Sequence, residues 1–404
     1  MGDRRNFPLD GITVVDLGQV YQGPYATYLM AKAGATVIKI EPLSGEPVRQ
    51  REAVSRGSGA PFGMLNGHKK CITLDLKSAK GKDIVMRLAA DADVLLENFA
   101  PGAMDRLGLS WPILHALNDR LIYASGSGYG ISGPDKDNLA MDITVQAASG
   151  LMSVTGFADS PPVKAGPAIA DFMSGIHLYA GVVTALYERE FTHKGRLVEV
   201  AMQEALIPTL ASNLAYMYDY GGIPPRTGNR HGGLSVAPYN VYPTLDGYVS
   251  IIVLNARHWS SLLQAMGRRD LSNDQRFADN VARVQNIDET DVLISDWTSR
   301  ITRDDACAAL AKYNVPSAPV RDLLEVCNDA HMHSRAMLEW LDHPQFGRIV
   351  IPDSPIRIHG TDRLPAAVSS RLGADTDEVL SQMLDLSRDD IAALRDEGVV
   401  GPAG

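Results

Sequence analysis

A chain of 404 residues with 45% hydrophobic and 21% charged residues can bury a large core spread over two or three domains, which excludes a disordered protein. A formal net charge of −10 argues against general nucleic-acid binding, because a phosphate backbone calls for a broad positive surface. Cys71, Cys307 and Cys327 are an odd number, far apart and without CxxC spacing, which argues against a disulfide framework or a cysteine zinc site and for a reducing compartment.

The start from Met1 to Phe7 is polar and carries Arg4 and Arg5, and no apolar run is expected to reach the ~18–20 residues that cross a bilayer. A soluble, cytoplasmic protein without membrane attachment is the expectation. Positive charge concentrates early, at Arg49, Arg51 and Arg56 and then at His68-Lys69-Lys70, and reads as solvated loop.

The β-branched run 12–17 predicts a strand, the small-residue pattern 24–33 a helix and 35–40 a second strand. The alternation continues with a strand at 71–76, a helix at 80–90, a strand at 94–97, a helix at 111–117 and a strand at 121–124. An apolar stripe of Met173, Ile176, Leu178, Val182, Ala185 and Leu186 predicts a helix over 171–189, and a strand–helix pair follows within 197–218. Strands regularly separated by helices imply a parallel sheet covered on both faces. The expected fold is therefore α/β, with a Rossmann-like parallel-sheet large domain over 1–220.

Residues 221–233, rich in Gly, Pro and Arg, mark a boundary. Beyond it a strand at 247–254 and helices at 258–266, 289–301 and 304–313 predict a smaller α+β domain over 225–325. The tail at 349–358 and a helix at 375–383 fit either a return to the first domain or a separate unit.

The turn after the first strand, Gly18-Gln19-Val20-Tyr21-Gln22-Gly23, lacks G-x-G-x-x-G spacing, which disfavours a dinucleotide enzyme. No Walker loop, G-x-S-x-G elbow or H-E-x-x-H motif occurs. His331 and His333 have no third ligand nearby in sequence, so no metal is expected. In open α/β sheets ligands bind beyond the carboxyl ends of strands. That directs attention to Val20-Tyr21-Gln22, to Glu97-Asn98-Phe99 and to 126–130, with Arg106 on a short helix close by.

Several segments taken together resemble the class III CoA-transferases, the CaiB/BaiF family that includes the formyl-CoA transferases. They are Leu9-Asp10-Gly11 through Gly23-Pro24, Gly34-Ala35 to Ile40-Glu41-Pro42, Asn66 to Leu76, Glu97-Asn98-Phe99 with Pro101-Gly102 and Arg106-Leu107-Gly108. Further on come Val145-Gln146-Ala147, Gly166 to Gly175, Val200-Ala201-Met202, Ala237-Pro238-Tyr239, Val315-Pro316 with Pro319-Val320, and Thr376 to Leu380. The resemblance runs in order along nearly the whole chain. It implies a large domain completed by 330–404, a homodimer of two interlocked chains, and a coenzyme A thioester as co-substrate with no prosthetic group. Carried over by position, CoA contacts fall on Val20, Tyr21, Gln22, Leu74, Asn98, Phe99 and Arg106. Where other members carry an Arg after the second strand this chain has Pro42, and Arg49 or Lys69 would replace it.

The same resemblance puts the family's nucleophilic aspartate at Asp171. An Asp at a helix start is also a good N-cap, and both roles fit, because a helix N-terminus favours the ionised carboxylate a nucleophile needs. The family contains α-methylacyl-CoA racemases, whose second base is a His directly before the position of Asp142. Here that residue is Met141, which takes up no proton, so CoA transfer from an acyl-CoA to a small carboxylic acid is expected over racemisation. Asp142 reads equally as a supporting acid or as a cap before Ile143. Gly232 and Gly233 form a candidate lid, shorter than the glycine loop of formyl-CoA transferases. Arg230 and His231 beside it would bind a distal carboxylate of the acceptor or simply face solvent. A non-catalytic acyl-CoA sensor is the remaining alternative, against which the presence of Asp171 speaks.

Overall fold

The computed structural model describes residues 6–51, 59–344 and 346–402, so that Arg56 of the early basic run lies outside them. The chain divides into two compact units, one of residues 1–145, 167–206 and 329–404, the other of 146–166 and 207–328. Residues 146–166 and 207–220 thus join the second unit, although their sequence reads as a continuation of the first domain.

Short aliphatic runs give the first unit its strands: β1 (Thr13–Asp16), β2 (Thr36–Glu41), β3 (Lys69–Thr73), β4 (Val94–Glu97), β5 (Ile122–Ser127) and β6 (Leu197–Ala201). All pair in parallel, in the order β3-β2-β1-β4-β5-β6. Strands buried on both faces read as continuous apolar runs, and Val14, Val15, Val94, Leu95 and Leu96 are fully buried. The tail returns to this unit. Val379, Leu380, Leu384, Ile391, Val399 and Val400 pack in one core cluster with Ile72, Leu74, Ile84, Val85 and Leu88. Residues 338–352 form a hairpin, β10 (Leu338–His343) with β11 (Gly347–Pro352).

The strand order reverses between β1 and β4, which run parallel, and this places the ligand crevice of such a sheet beyond the carboxyl ends of these two strands. Two glycines let the chain turn there. A side chain on Gly23 would lie 2.9 Å from the Gly18 Cα and 3.0 Å from Leu96, so the helix Gln22–Lys32 can approach β4 only with glycine at this position.

The helix Ile169–Thr192 is longer than expected and corrects the reading of apolar runs: 24 residues with a window of mean hydropathy 1.4 meet the length and composition of a membrane span. Its packing is that of a core helix. Leu178, Val182, Ala185 and Leu186 lie against Val14, Ala26, Met30, Ile122 and Ala124. Near its end the buried Arg189 pairs with Asp93 at 2.7 Å.

The second unit holds an antiparallel sheet, β7 (Tyr239–Thr244), β8 (Gly247–Ile252) and β9 (Ser317–Pro319), with β8 in the middle. Trp259, Leu262 and Leu263 from one helix, Ile294 from a second and Leu310 from a third close its core over Tyr242, Val249 and Ile251.

Candidate active site

The turn after β1 is held rigidly from below. Asp16 at the end of β1 is fully buried, pairs with Lys69 at 3.0 Å, and accepts from the Thr27 hydroxyl at 2.6 Å and the Gly18 N–H at 2.8 Å. Burial raises its carboxyl, and Lys69 and Lys39 outweigh that, leaving it below the usual carboxylate range. Lys69 also donates to the Pro24 carbonyl and to the Thr27 and Asn66 side-chain oxygens. It is therefore a buried structural cation, and it cannot take over a phosphate contact at Pro42. Arg49 is likewise occupied: its guanidinium is bidentate on Glu41 and lies 3.7 Å from the Phe62 ring centroid.

From above, Asn98 clamps the same turn. Its Oδ1 accepts from the Gln19 N–H at 2.7 Å and its Nδ2 donates to the Gln19 carbonyl at 2.9 Å. Val20 follows at φ 64°, a left-handed conformation that a β-branched residue adopts only where the surroundings enforce it, at a cost of ~1–3 kcal/mol. The Val20 N–H is accepted by Glu46 at 3.2 Å. Phe99 gives its N–H to Glu97. Leu74 lies 1% exposed in the core and its N–H is donated to Glu41, so its side chain is out of a ligand's reach. Arg106 is exposed, with one contact at 3.3 Å to the Pro101 carbonyl, and stands at the crevice edge as an accessible cation.

Asp171 sits in the first turn of the helix Ile169–Thr192, two residues inside its start. It is not the cap, because the N-cap position is Ala168. The cap comes from 29 residues earlier in the chain: Asp142 Oδ1 accepts from the N–H groups of Ala170 at 2.8 Å and Asp171 at 3.3 Å. Asp142, the first residue of the helix Asp142–Ala148, therefore caps the helix that carries Asp171. Ala140, two residues before it, presses against Gly128, where an added Cβ would lie 2.0 Å away.

Asp171 is 9% exposed, and no hydrogen bond from a donor among the described residues holds its carboxylate. Burial, and after it the Asp142 charge, push its pKa up to about 7. This reverses the expectation that the helix start would favour the ionised form. Gly175 lies one turn further along the helix on the same face, and a Cβ there would meet the Gln22 carbonyl at 2.7 Å. The Asp171 face thus packs on the turn that follows β1. Two residues passed over in the sequence reinforce the junction. Phe172 stacks on Tyr21 at 5.9 Å and meets Tyr25 edge-on at 4.9 Å, and Arg51 donates to the Tyr21 hydroxyl at 2.8 Å. An aromatic directly after the acid was the one legible signal.

In the second unit Arg230 is spent on Asp288 at 2.5 Å and Asp291 at 2.8 Å. Asp291 also accepts from Asn240 and Tyr242. His231 accepts the Gly233 N–H on Nδ1 at 3.2 Å, and Asn213 reaches the Gly232 carbonyl. The expected lid is an ordered turn with those groups already engaged. Arg230→Ala is predicted to destabilise this unit by ~1–2 kcal/mol and to change KM for diacids less than about twofold. Thermal melting beside steady-state kinetics checks both. Among the described residues no His, Cys, Asp or Glu cluster forms a metal site, and His331 and His333 lie on the short helix Ala330–Ser334.

The sequence profile described as CoA-transferase family III matches residues 9–376. The formyl-CoA:oxalate CoA-transferase of Streptomyces avermitilis is 34% identical, over 97% of this chain and 99% of that protein. The succinyl-CoA–D-citramalate CoA-transferase of Chloroflexus aurantiacus is also 34% identical, over 97% and 98%. Among solved structures, a CaiB/BaiF family protein from Brucella suis superposes with a TM-score of 0.82 at 33% identity, covering 94% of this chain and all of that one. A hypothetical protein from Mycobacterium tuberculosis gives 0.80 at 28% identity, covering 92% and 98%. With matches of this extent in sequence and fold, the chain belongs to CoA-transferase family III, the CaiB/BaiF enzymes that move CoA from an acyl-CoA to a carboxylate.

Proposed function

We propose that Asp171 is the carboxylate that takes up the acyl group. The observation that carries this is a buried carboxylate without donors, raised to about 7 and set on the face that packs against the crevice turn. A carboxylate of raised pKa is a stronger nucleophile that is still substantially ionised near neutrality. Asp171 attacks the thioester, giving an aspartyl mixed anhydride and CoA thiolate. The thiolate returns to form an aspartyl-CoA thioester and frees the donor acid. The acceptor carboxylate attacks that thioester, releasing thiolate, which then takes the new acyl group from the second anhydride. No step draws on a prosthetic group or metal.

The CoA contacts proposed are the backbone of Val20, Tyr21 and Gln22, the Asn98-Phe99 edge and, for phosphate, Arg106. They all lie in the parallel-sheet unit. Leu74 contributes packing only. Small acids are the proposed substrates, in keeping with the two named relatives. The distal-carboxylate role of Arg230 loses support, because Asp288 and Asp291 already occupy it. Racemisation is disfavoured by Met141, which is 61% exposed and carries no base. We place the enzyme in the cytoplasm. A second, interlocked copy is the proposed partner, supported by large apolar side chains left uncovered, such as Tyr218 at 86% and Ile223 at 89%.

Because Asp171 must be ionised, kcat/KM is predicted to rise with pH through about 7. Asp142→Asn keeps the capping oxygen and removes the like charge. The rise should then move to lower pH while remaining above the ordinary carboxylate value of 3.8, since burial persists. A pH–rate profile of both forms checks this, and an unmoved acidic limb would remove Asp142 from the account.

A further inference from the structure

One buried polar group at the crevice turn has no structural task. Gln22 is 2% exposed, and its Nε2 has no acceptor among the described residues. A buried primary amide left without an acceptor is costly, so a fold that retains it has a use for the donor. The surroundings make room for the group. An added Cβ on Gly126, at the carboxyl end of β5, would lie 2.6 Å from Gln22 Oε1 and 3.0 Å from Nε2.

The backbone at the same residue points the same way. Gln22 opens the 11-residue helix Gln22–Lys32, whose N-cap residue Tyr21 makes no side-chain cap. The first N–H groups of a helix have no partners within it. The Gln22 carbonyl touches the Asp171 face of the helix Ile169–Thr192 through Gly175. A buried amide donor and an uncapped helix start therefore meet beside a nucleophile.

We propose that the Gln22 side-chain amide, with the backbone N–H groups of Gln22 and Gly23 at the helix start, is the oxyanion donor of the transfer reaction; the inference rests on Asp171 as nucleophile. When an Asp171 oxygen bonds to the thioester carbon, the carbonyl π pair moves onto oxygen. Gln22 Nε2–H donates to that oxygen. Collapse re-forms the C=O bond and breaks the C–S bond, and the thiolate leaves with the electron pair. Every later step passes through a similar tetrahedral centre, so one donor set serves them all. Gln22 moves no proton.

The test compares Gln22→Met, which fills the same volume without a donor, with Gly126→Ala, which displaces the amide and leaves Gln22 in place. Both should bind acyl-CoA within about twofold of wild type and lose ~10²–10³-fold in kcat. The covalent product on Asp171 should still form, more slowly in single turnover. Wild-type single-turnover rates in Gln22→Met would reduce Gln22 to a packing residue. A raised Kd with unchanged kcat would make it a CoA contact instead. Should Gln22→Met fail to fold, Gly126→Ala decides alone. If wild type itself forms no adduct on Asp171 but still turns over, the covalent reading has failed, and a kcat loss in both variants would still assign Gln22 to the reacting carbonyl.

Discussion

Asp171→Asn is expected to lower kcat for CoA exchange by ~10⁴-fold or more, because the group that carries the acyl unit is gone and no neighbour can replace it. Asp142 cannot substitute, since its Oδ1 is committed to the N–H groups of Ala170 and Asp171. Acyl-CoA binding should persist, because the turn 19–22 and Asn98 are built without Asp171. The variant should also gain stability, in a direction set by pH. The folded pKa of about 7 exceeds the ordinary 3.8, so between these values the native state holds a proton that the unfolded chain has lost. Native stability therefore falls as pH rises through that window. Above it the ionised carboxylate costs at most ~4 kcal/mol, a cost accepted for activity. Melting of wild type and Asp171→Asn should differ by several degrees at pH 8 and coincide near pH 4. Equal melting at both values would mean that burial does not strain this carboxylate.

Lys69→Met is expected to be the most damaging substitution away from the chemistry. Its ammonium joins Asp16, Thr27, Asn66 and the Pro24 carbonyl, and both members of the ion pair are fully shielded from water. Removing the cation leaves Asp16 charged and without its ion-pair partner beneath the crevice turn, with only the charge of Lys39 to offset it, at a cost of ~3–5 kcal/mol. Restoring neutrality should repair most of that loss. Asp16→Asn combined with Lys69→Met keeps an acceptor for the Gly18 N–H and should recover more than half of the stability by denaturant titration. A single variant as stable as wild type would show that water reaches this pair.

How much of this is legible in the sequence depends on where each residue finds its partner. Apolar runs around Val14, Val37, Leu95 and Ala124 disclose a parallel sheet because burial on both faces leaves a purely local pattern. Lys69 was not legible. His68-Lys69-Lys70 reads as solvated charge, yet β3 begins at Lys69 and turns it inward to an aspartate 53 residues away. The capping of Asp171 was hidden for the same reason, its acceptor being Asp142. In the second unit β7 and β9 contain Pro243 and Pro319, which weaken a strand reading. They are the two edge strands, where a missing N–H is tolerated, and only the central β8 showed as a strand.

The central claim is that Asp171 becomes covalently linked during transfer. Intact-protein mass spectrometry with a panel of acyl-CoAs and free acids, followed by hydroxylamine trapping and peptide mapping, tests it most directly. Wild type should gain an acyl or CoA mass that hydroxylamine converts to a hydroxamate at Asp171, and Asp171→Asn should gain none. CoA exchange between acids by wild type with no adduct and no hydroxamate at Asp171 would contradict the claim.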